Sequence, residues 1–340
     1  MITRWSSTAP AGTRPASTGP LSTRPASNAA RVFVAILAAV VAAVTMLAAC
    51  TSPASQHTRS GAATPSPHVP VLRGLTEPAT GQRYYLALGD SLAQGVQPGP
   101  TGADVSTADG YPQRLAAMLR RSAPDLRLIL MGCSGETTGT MIAGGTCRYR
   151  QGSQLAQATA FLREHGGQVA LITIDIGAND PNSCVFKTGF TAISSCLSAR
   201  TTTALRNLRT ILHGLRSAGG VQIPIIGMTY YVPELGLWLT GRTGTELAAL
   251  SERLAAAYNR LLISDYHRYG AQVADVFGAF RSSNFAARVR LRGHGVVPAN
   301  VAAVCSLTWM CARPPRGPNE HANEAGYRLI ARTFWLAIAR

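Results

Sequence analysis

The sequence predicts an α/β fold in which helices cover both faces of a central parallel sheet of about five strands. Short apolar runs with high β propensity alternate with longer amphipathic stretches along residues 81–340. Such alternation is typical of a parallel sheet, because each crossover between parallel strands needs a connecting helix. We therefore expect one three-layer α/β/α domain of the flavodoxin-like type, with strand order 2-1-3-4-5.

Five apolar runs predict the strands, and the amphipathic stretches between and after them predict the helices. The predicted strands are 84–88, 126–131, 169–175, 221–229 and 272–275, and the predicted helices are 111–121, 151–165, 197–217, 245–269 and 324–339. In this strand order the carboxyl ends of the first three strands are neighbours. Ligands of such sheets bind outside those ends, so we expect the loops after these strands to form the functional site.

The N-terminal segment predicts an export signal. Residues 1–31 carry four arginines and no acidic residue, and 32–49 are uncharged and mostly apolar. Leu-Ala-Ala-Cys at 47–50 resembles a bacterial lipobox, so we expect residues 1–49 to be removed and Cys50 to be lipidated. A plain transmembrane anchor is the alternative, since about 18 apolar residues are the lower limit for a span. Either interpretation places the domain outside the cytoplasm.

Residues 50–80 predict a tether between the lipidated cysteine and the domain. They are rich in Ser, Thr, Pro, Ala and Gly, a composition that cannot bury enough apolar surface to fold. We thus expect a lipid anchor at the outer face of the cytoplasmic membrane.

The formal charge of +16 fits biased codon usage, or else a surface that attracts anionic lipid or cell-wall polymers. No nucleic-acid partner is expected, because no basic run is interleaved with aromatics. We expect a monomer.

Six cysteines besides Cys50 fall into three close pairs, which predicts disulfides in an exported domain. Six cysteines allow 15 connectivities. None of the pairs has the Cys-x-x-Cys spacing of a zinc site, so we expect no metal and no cofactor. The simplest connectivity joins neighbours in the sequence, namely Cys133 with Cys147, Cys184 with Cys196, and Cys305 with Cys311.

Four short motifs bear residues capable of chemistry. Ser91, in Gly-Asp-Ser-Leu, directly follows the first predicted strand. Gly135 follows the second strand, in Gly-Cys-Ser-Gly-Glu-Thr-Thr, and Asn179 follows the third, in Gly-Ala-Asn-Asp. His321 opens His-Ala-Asn-Glu-Ala-Gly-Tyr just before the last helix. The strand order brings the first three motifs to one site.

In these motifs the chain resembles the SGNH, or GDSL, hydrolase family, whose first, second, third and fifth blocks match Ser91, Gly135, Asn179 and His321. The ordered set spans residues 86–330. The secreted actinobacterial lipase and esterase branch is the closer resemblance, through 132–138, 229–233, 274–280 and three disulfides. The resemblance implies the SGNH fold and a carboxylic ester hydrolase.

A serine hydroxyl needs an adjacent base to attack an ester, and His321 is the candidate, with His294 as its rival. The resemblance implies an oxyanion hole formed by the backbone N–H groups of Ser91 and Gly135 and the side-chain amide of Asn179. Each such donor contributes about 3 kcal/mol. Taken singly, Asn179 is equally typical of an Asx turn and Gly135 of a positive φ. Asp90 is expected to bind loop backbone and Asp180 to bond across to the Ser91 loop.

The chain departs from the family at the third member of the catalytic triad. The family carries an Asp two or three residues before the histidine, whereas Pro318, Asn319 and Glu320 precede His321 here. An Asp at this place orients the imidazole. Some members of the resembling branch use a backbone carbonyl instead. We expect a Ser91–His321 dyad supported by a backbone carbonyl within 316–319, or by Glu320.

The apolar loop 230–239 predicts one wall of the substrate site, because ligand sites are mostly apolar with a few polar groups. Packing of this loop onto the sheet edge is the alternative. Disulfide-closed segments are candidates for the opposite rim. The candidate wall and rim residues are Tyr230, Tyr231, Leu237, Trp238 and Trp309.

These observations predict a lipid-anchored, extracytoplasmic serine esterase or lipase that acts on a lipid or an acylated small molecule. An alternative enzyme would remove acetyl groups from polysaccharides. A third hypothesis is a non-catalytic surface lipoprotein that binds a glycan or a lipid, and the missing acid before His321 is its only support.

Overall fold

Five parallel strands form the central sheet of the protein. The computed structural model describes residues 81–181, 184 and 190–338. Strand neighbours are all parallel, and the order is β2-β1-β3-β4-β5, as the sequence predicted. The strands are β1 (Arg83–Gly89), β2 (Leu126–Leu130), β3 (Val169–Asp175), β4 (Ile225–Met228) and β5 (Gln272–Ala274).

Helices cover the sheet, and all five predicted helices are present. The boundary that differs most is the start of the third predicted helix, at Phe190 rather than 197. The α-helices are α1 (Tyr111–Leu119), α2 (Thr138–Ala143), α3 (Gln154–His165), α4 (Phe190–Gly219), α5 (Arg242–Arg268), α6 (Val276–Ala279), α7 (Ala299–Leu307) and α8 (Glu324–Ile338). Short 3-10 helices span Gly166–Gln168 and Pro233–Thr240.

The core lies between the sheet and its helices. All seven residues of β3 are buried, as a central strand covered on both faces requires. Helix α1 packs on α8, where the rings of Tyr111 and Phe334 stack with centroids 4.6 Å apart. Helix α3 packs on α4. These buried faces fix the loops at the carboxyl ends of β1, β2 and β3.

Two small antiparallel elements lie outside the central sheet. Residues 97–98 pair with 104–105, and we call this element the 97–105 ribbon. A second hairpin joins Arg288–Leu291 to Gly295–Pro298. Neither element was expected from the sequence.

Three disulfides join cysteines that are neighbours in the sequence. The pairs are Cys133–Cys147, Cys184–Cys196 and Cys305–Cys311, which confirms the predicted connectivity.

Among the described helices, none combines the length and hydropathy needed to cross a bilayer. The predicted export signal, Cys50 and the tether fall in residues 1–80, outside the described part of the chain.

Candidate active site

Ser91 lies in a tight turn directly after β1. Gly89 ends the strand at φ +143°, and a Cβ at this position would collide with the Asp175 carboxylate, so only glycine fits. The turn closes through a hydrogen bond from Val96 N to Ser91 O of 3.0 Å. The corner after β1 is therefore a strand-to-turn connection, with no helix directly after Ser91. The turn leads instead into the 97–105 ribbon.

His321 is the base candidate that the fold brings to Ser91. Its Nε2 lies 3.0 Å from Ser91 Oγ, and the residue is 6% exposed. The backbone at His321 is held by a bond from Trp309 N to His321 O of 3.0 Å, next to a bridge between Thr308 and Ala322. The rival His294 is exposed at the turn of the 288–298 hairpin.

The other ring nitrogen of His321 contacts a side chain, which corrects the expected backbone carbonyl. Nδ1 lies 2.9 Å from Oδ1 of Asn319, and His321 N donates to the same oxygen at 3.0 Å. An amide oxygen only accepts, so in this arrangement Nδ1 carries the proton of the neutral ring. Nε2 is then an acceptor, suited to the hydroxyl proton of Ser91. Glu320 contributes its backbone carbonyl to Tyr231 Oη–H at 2.8 Å.

The environment favours the neutral form of His321. Burial lowers its pKa below the ordinary value, and the charges of Asp104 and Glu320 act in the opposite direction. Asp104 Oδ1 lies 3.6 Å from Nδ1. A neutral imidazole is the form that can accept a proton from serine.

The loops after β2 and β3 contact each other, as the strand order predicted. Asn179 Nδ2 donates to Glu136 O at 3.0 Å, which fixes the amide beside the loop that contains Gly135. Gly135 has φ +78° and is exposed. A glycine at positive φ is expected if Gly135 only shapes the loop, and it is equally compatible with a backbone N–H that binds the oxyanion. The oxyanion roles of Gly135 and Asn179 therefore stay predictions.

Asp180 stabilises the start of α2 and not the Ser91 loop as expected. Its Oδ2 accepts from Thr138 N at 3.0 Å, and its Oδ1 accepts from Thr138 Oγ1 at 2.5 Å. Carboxylates favour helix N-termini because unpaired N–H groups point there. The Cys133–Cys147 disulfide closes the loop on its other side.

A buried layer of carboxyl groups lies beneath Ser91. Asp90 Oδ1 accepts from Leu92 N at 2.9 Å, as predicted for a residue that binds loop backbone. Burial raises the pKa of Asp90 to about 6, and burial with the Asp90 charge raises that of Asp175 well above its ordinary value. Tyr111 Oη donates to Asp175 Oδ1 at 2.5 Å. The two carboxyls therefore resist simultaneous ionisation beneath the nucleophile.

Three polar residues of the site, Gln154, Asn319 and Asp104, were not predicted from the sequence. Gln154 binds Gly89 through its Oε1 at 2.7 Å and its Nε2 at 3.0 Å, and so fixes the end of β1. Asn319 and Asp104 surround His321. Asn319 did carry a signal, since it stands two residues before the histidine, where the family places an acid. Gln154 and Asp104 carried none.

The predicted acyl wall is packed into the protein. Tyr230 and Tyr231 are 8% and 7% exposed, and the ring of Tyr231 stacks on Phe280 with centroids 4.4 Å apart. The 3-10 helix 233–240 packs against α5, so Leu237 and Trp238 are only partly exposed. The segment therefore packs on a helix, whereas the alternative had placed it on the sheet edge, and the substrate contacts of these residues stay a prediction.

Trp309 remains beside the site, on the predicted rim. Its backbone N binds His321 O, and its Nε1 donates to Gln97 Oε1 at 3.2 Å. The Arg316 guanidinium lies 5.4 Å from the centroid of its ring.

Within the described residues, no cluster of three or more His, Cys, Asp or Glu side chains is arranged to hold a metal ion.

Comparison with known proteins identifies the family. Residues 87–329 match the GDSL-like Lipase/Acylhydrolase family. No curated protein matches the chain. Similar solved structures include an extracellular lipase from Streptomyces rimosus, with 18% identity, coverage of 75% of this chain and 99% of that one, and a TM-score of 0.49. A phospholipase A1 from Streptomyces albidoflavus NA297 has 18% identity, coverage of 76% and 100%, and a TM-score of 0.47.

A variant of an acetyl-xylooligosaccharide esterase from Geobacillus stearothermophilus has 17% identity, coverage of 76% and 94%, and a TM-score of 0.46. The family match runs from β1, before Ser91, into α8, after His321, and covers well over half of the chain. The chain thus belongs to the GDSL-like lipase/acylhydrolase family and is a carboxylic ester hydrolase, as its sequence motifs predicted.

Proposed function

We propose that the protein is an extracytoplasmic serine esterase that forms an acyl-enzyme on Ser91 with His321 as the base. The observation that carries this proposal is the 3.0 Å contact between Ser91 Oγ and the accepting Nε2 of a buried, neutral imidazole. A serine hydroxyl becomes an effective nucleophile when such a base takes its proton during attack.

The proposed reaction proceeds in two steps. Ser91 Oγ attacks the ester carbonyl while its proton moves to His321 Nε2, and the imidazolium then protonates the departing alcohol. The oxyanion is met by the backbone N–H groups of Ser91 and Gly135 and by the amide of Asn179. Water then attacks the acyl carbonyl while its proton moves to His321 Nε2. As the bond between the acyl group and Ser91 Oγ breaks, the imidazolium returns the proton to Oγ and the carboxylic acid leaves.

The non-catalytic hypothesis loses its support in this geometry. It depended on the missing acid before His321, yet Nδ1 has an acceptor at 2.9 Å in Asn319 Oδ1. A protein that only binds a ligand has no need for a serine and a histidine in hydrogen-bond contact with the tautomer fixed.

Burial of Tyr230 and Tyr231 favours a short acyl group. Both tyrosines of the apolar wall expected for a lipase are buried, and the 3-10 helix 233–240 packs against α5, which leaves less apolar surface for a long acyl chain. Removal of acetyl groups from a polysaccharide is therefore the second candidate function. A panel of p-nitrophenyl esters from acetate to palmitate separates the two. Activity on acetate alone would support the acetylesterase, and a maximum on long acyl chains would support a lipase, because a long chain needs an extended apolar site.

The proposal is tested with Ser91→Ala and His321→Ala. We expect each substitution to lower kcat by about 10⁴-fold or more on p-nitrophenyl acetate, because the residues act as one unit. Ser217→Ala and His213→Ala are matched controls, since both side chains are exposed on α4, and they should retain full activity. Full activity in Ser91→Ala would reject the mechanism.

A further inference from the structure

The histidine is coupled to a carboxylate that lies far away in the sequence. Asn319 Nδ2 donates to Asp104 Oδ1 at 2.8 Å, while Asn319 Oδ1 faces His321 Nδ1 at 2.9 Å. Asp104 belongs to the 97–105 ribbon, 215 residues before Asn319. The three side chains form a continuous chain of hydrogen bonds that ends at Ser91.

We propose that Asn319 and Asp104 are positioning residues that together replace the missing acid, Asn319 by direct contact with His321 and Asp104 through the Asn319 amide. This inference rests on the proposed function. It assigns a role in the reaction to a ribbon that lies outside the central sheet.

The amide needs Asp104 because its two ends have opposite hydrogen-bonding character. If the Asn319 amide turned by 180°, its NH₂ group would face Nδ1 and would stabilise the wrong tautomer, with the proton on Nε2. A carboxylate accepts but cannot donate, so Asp104 holds the NH₂ end and leaves the oxygen toward His321. The charge also polarises the amide, which strengthens the bond to the imidazolium formed during attack.

The ribbon is docked closely onto the segment that carries Asn319. Gly102 has φ +88°, and a Cβ there would collide with the carbonyl of Pro315. Trp309 Nε1 bonds to Gln97 Oε1 on the same ribbon at 3.2 Å. The position of Asp104 is thus set by backbone contact, independently of its own charge.

Among the described residues, Glu320 is the other charged group that acts on the His321 pKa together with Asp104. Glu320 lies on the same segment as His321 and raises its pKa, as Asp104 does from the ribbon. Tyr231, from the loop after β4, faces the Glu320 backbone with its phenol. The Asp104 side chain is 46% exposed, so solvent partly screens its direct field at His321, and the hydrogen bond to Asn319 adds a contact with a defined direction.

The test measures kcat, KM and the pH profile of kcat/KM on p-nitrophenyl acetate. Asp104→Asn keeps an acceptor for Asn319 but removes the charge. We expect kcat to fall about tenfold with KM nearly unchanged, on the scale seen when a partner that orients a histidine is lost. The acid limb of the profile should move to lower pH, because a group that raises the His321 pKa is gone. Asp109→Asn, an exposed aspartate before α1, is the matched control.

Exchange of the two side chains provides a rescue. Asn319→Asp alone places two carboxylates side by side at the 2.8 Å contact, so we expect reduced activity and an acid limb at higher pH. Adding Asp104→Asn restores one charge and one amide, now with the carboxylate on Nδ1. The double variant should be more active than either single variant, which simple loss of stability would not produce.

A third variant moves the ribbon without changing any of the three side chains. Gly102→Ala should lower kcat and shift the acid limb in the same direction as Asp104→Asn. The tautomer itself is read by ¹⁵N NMR of His321, where the wild type should show the proton on Nδ1 and Asp104→Asn a mixture of tautomers. These NMR spectra require a folded protein but no turnover.

The positioning role of Asp104 and Asn319 is rejected if Asp104→Asn retains wild-type kcat, pH profile and tautomer while Ser91→Ala is inactive. Activity in Ser91→Ala would instead reject the proposed function on which this role rests. Additive losses in the Asn319→Asp/Asp104→Asn variant would also contradict the coupling between the two side chains.

Discussion

In the proposed mechanism, the reactivity of Ser91 depends on which nitrogen of the His321 imidazole carries the proton. Burial lowers the pKa of His321 and keeps the ring neutral, and the Asn319 oxygen at 2.9 Å selects the tautomer. The same chemistry in the family usually relies on a carboxylate. A neutral amide at this place leaves the imidazolium less stabilised by direct charge, which explains why a second residue behind the amide matters.

The Asp90 carboxyl makes folding stability depend on pH. Burial raises its pKa to about 6 in the folded protein, compared with about 4 in an unfolded chain. The folded state binds the Asp90 proton more tightly than the unfolded chain does. This preference adds fully to the free energy of unfolding below about pH 4, and the added stability is lost as the pH rises through about 6.

Asp90→Asn should therefore reduce the pH dependence of stability. Asparagine keeps an oxygen for Leu92 N and cannot ionise. We expect the melting temperature of the wild type to fall more between pH 4.5 and 7.5 than that of the variant, in scanning fluorimetry. These two pH values lie on either side of the Asp90 pKa of about 6. Asp109→Asn controls for loss of an exposed charge. Identical pH dependence in wild type and Asp90→Asn would contradict the assignment.

Most elements of the fold were predictable because they carry strong periodic signals. The buried strands are short apolar runs, and the long helices α4 and α5 are amphipathic over many turns. Short elements were missed for physical reasons. Helix α7 buries residues on several sides, so its sequence shows no helical period. Helix α2 has only six residues, although Thr137 and Thr140 form a capping box at its start.

The site was predictable where motifs follow strands, and not where it depends on contacts between distant loops. Ser91 and His321 were assigned from their motifs and lie in contact. Asp104 lies in a two-residue strand, and nothing local in its sequence indicates a contact with Asn319. The burial of Tyr230 and Tyr231 was not predictable, because an apolar loop is equally compatible with packing onto a helix, as 233–240 does, and the substrate wall stays a prediction.

The Cys133–Cys147 disulfide should stabilise both the domain and the loop that holds Gly135. It closes a segment with a sequence separation of 14, for which chain entropy gives about 3 kcal/mol. We expect the variant with both cysteines changed to Ala to lose about this much free energy of unfolding in urea titrations. Its kcat should also fall, since a looser loop holds Gly135 less well in position.

The control for this prediction removes another bridge. Cys305 and Cys311 close a segment with a separation of 6, so replacing both should cost less stability, about 2 kcal/mol. An unchanged free energy of unfolding after loss of the Cys133–Cys147 bridge would show that the bridge does not stabilise the fold.

We propose that the chain combines its hydrolase domain with an N-terminal segment that directs where the domain acts. Residues 87–329 account for the family match, and the formal charge of the full chain is +16. We propose that the domain works at the outer face of the cytoplasmic membrane, tethered through Cys50. Three disulfides are compatible with an oxidising compartment. A basic surface near an anionic membrane would keep the domain close to it.

The proposed lipidation predicts a defined N-terminus. Protein extracted from membranes of an expressing actinobacterium should begin at Cys50 and carry the added mass of a diacylglycerol thioether and an N-acyl group in intact-mass spectrometry. Cys50→Ser should retain residues 1–49 and lack that mass, because the cleavage and the lipid both require the thiol. A wild-type N-terminus at Met1 would favour the plain transmembrane anchor instead.

Ser91 is the proposed nucleophile, and His321 is the base proposed to activate it. A fluorophosphonate ester, which reacts with activated serines, tests both parts in one measurement when labelling of the folded protein is followed by peptide mass spectrometry. We predict one adduct per chain, on Ser91, absent in Ser91→Ala and slowed at least about 10³-fold in His321→Ala. An unlabelled Ser91 in protein that still hydrolyses p-nitrophenyl acetate, or equal labelling rates in wild type and His321→Ala, would contradict these two roles.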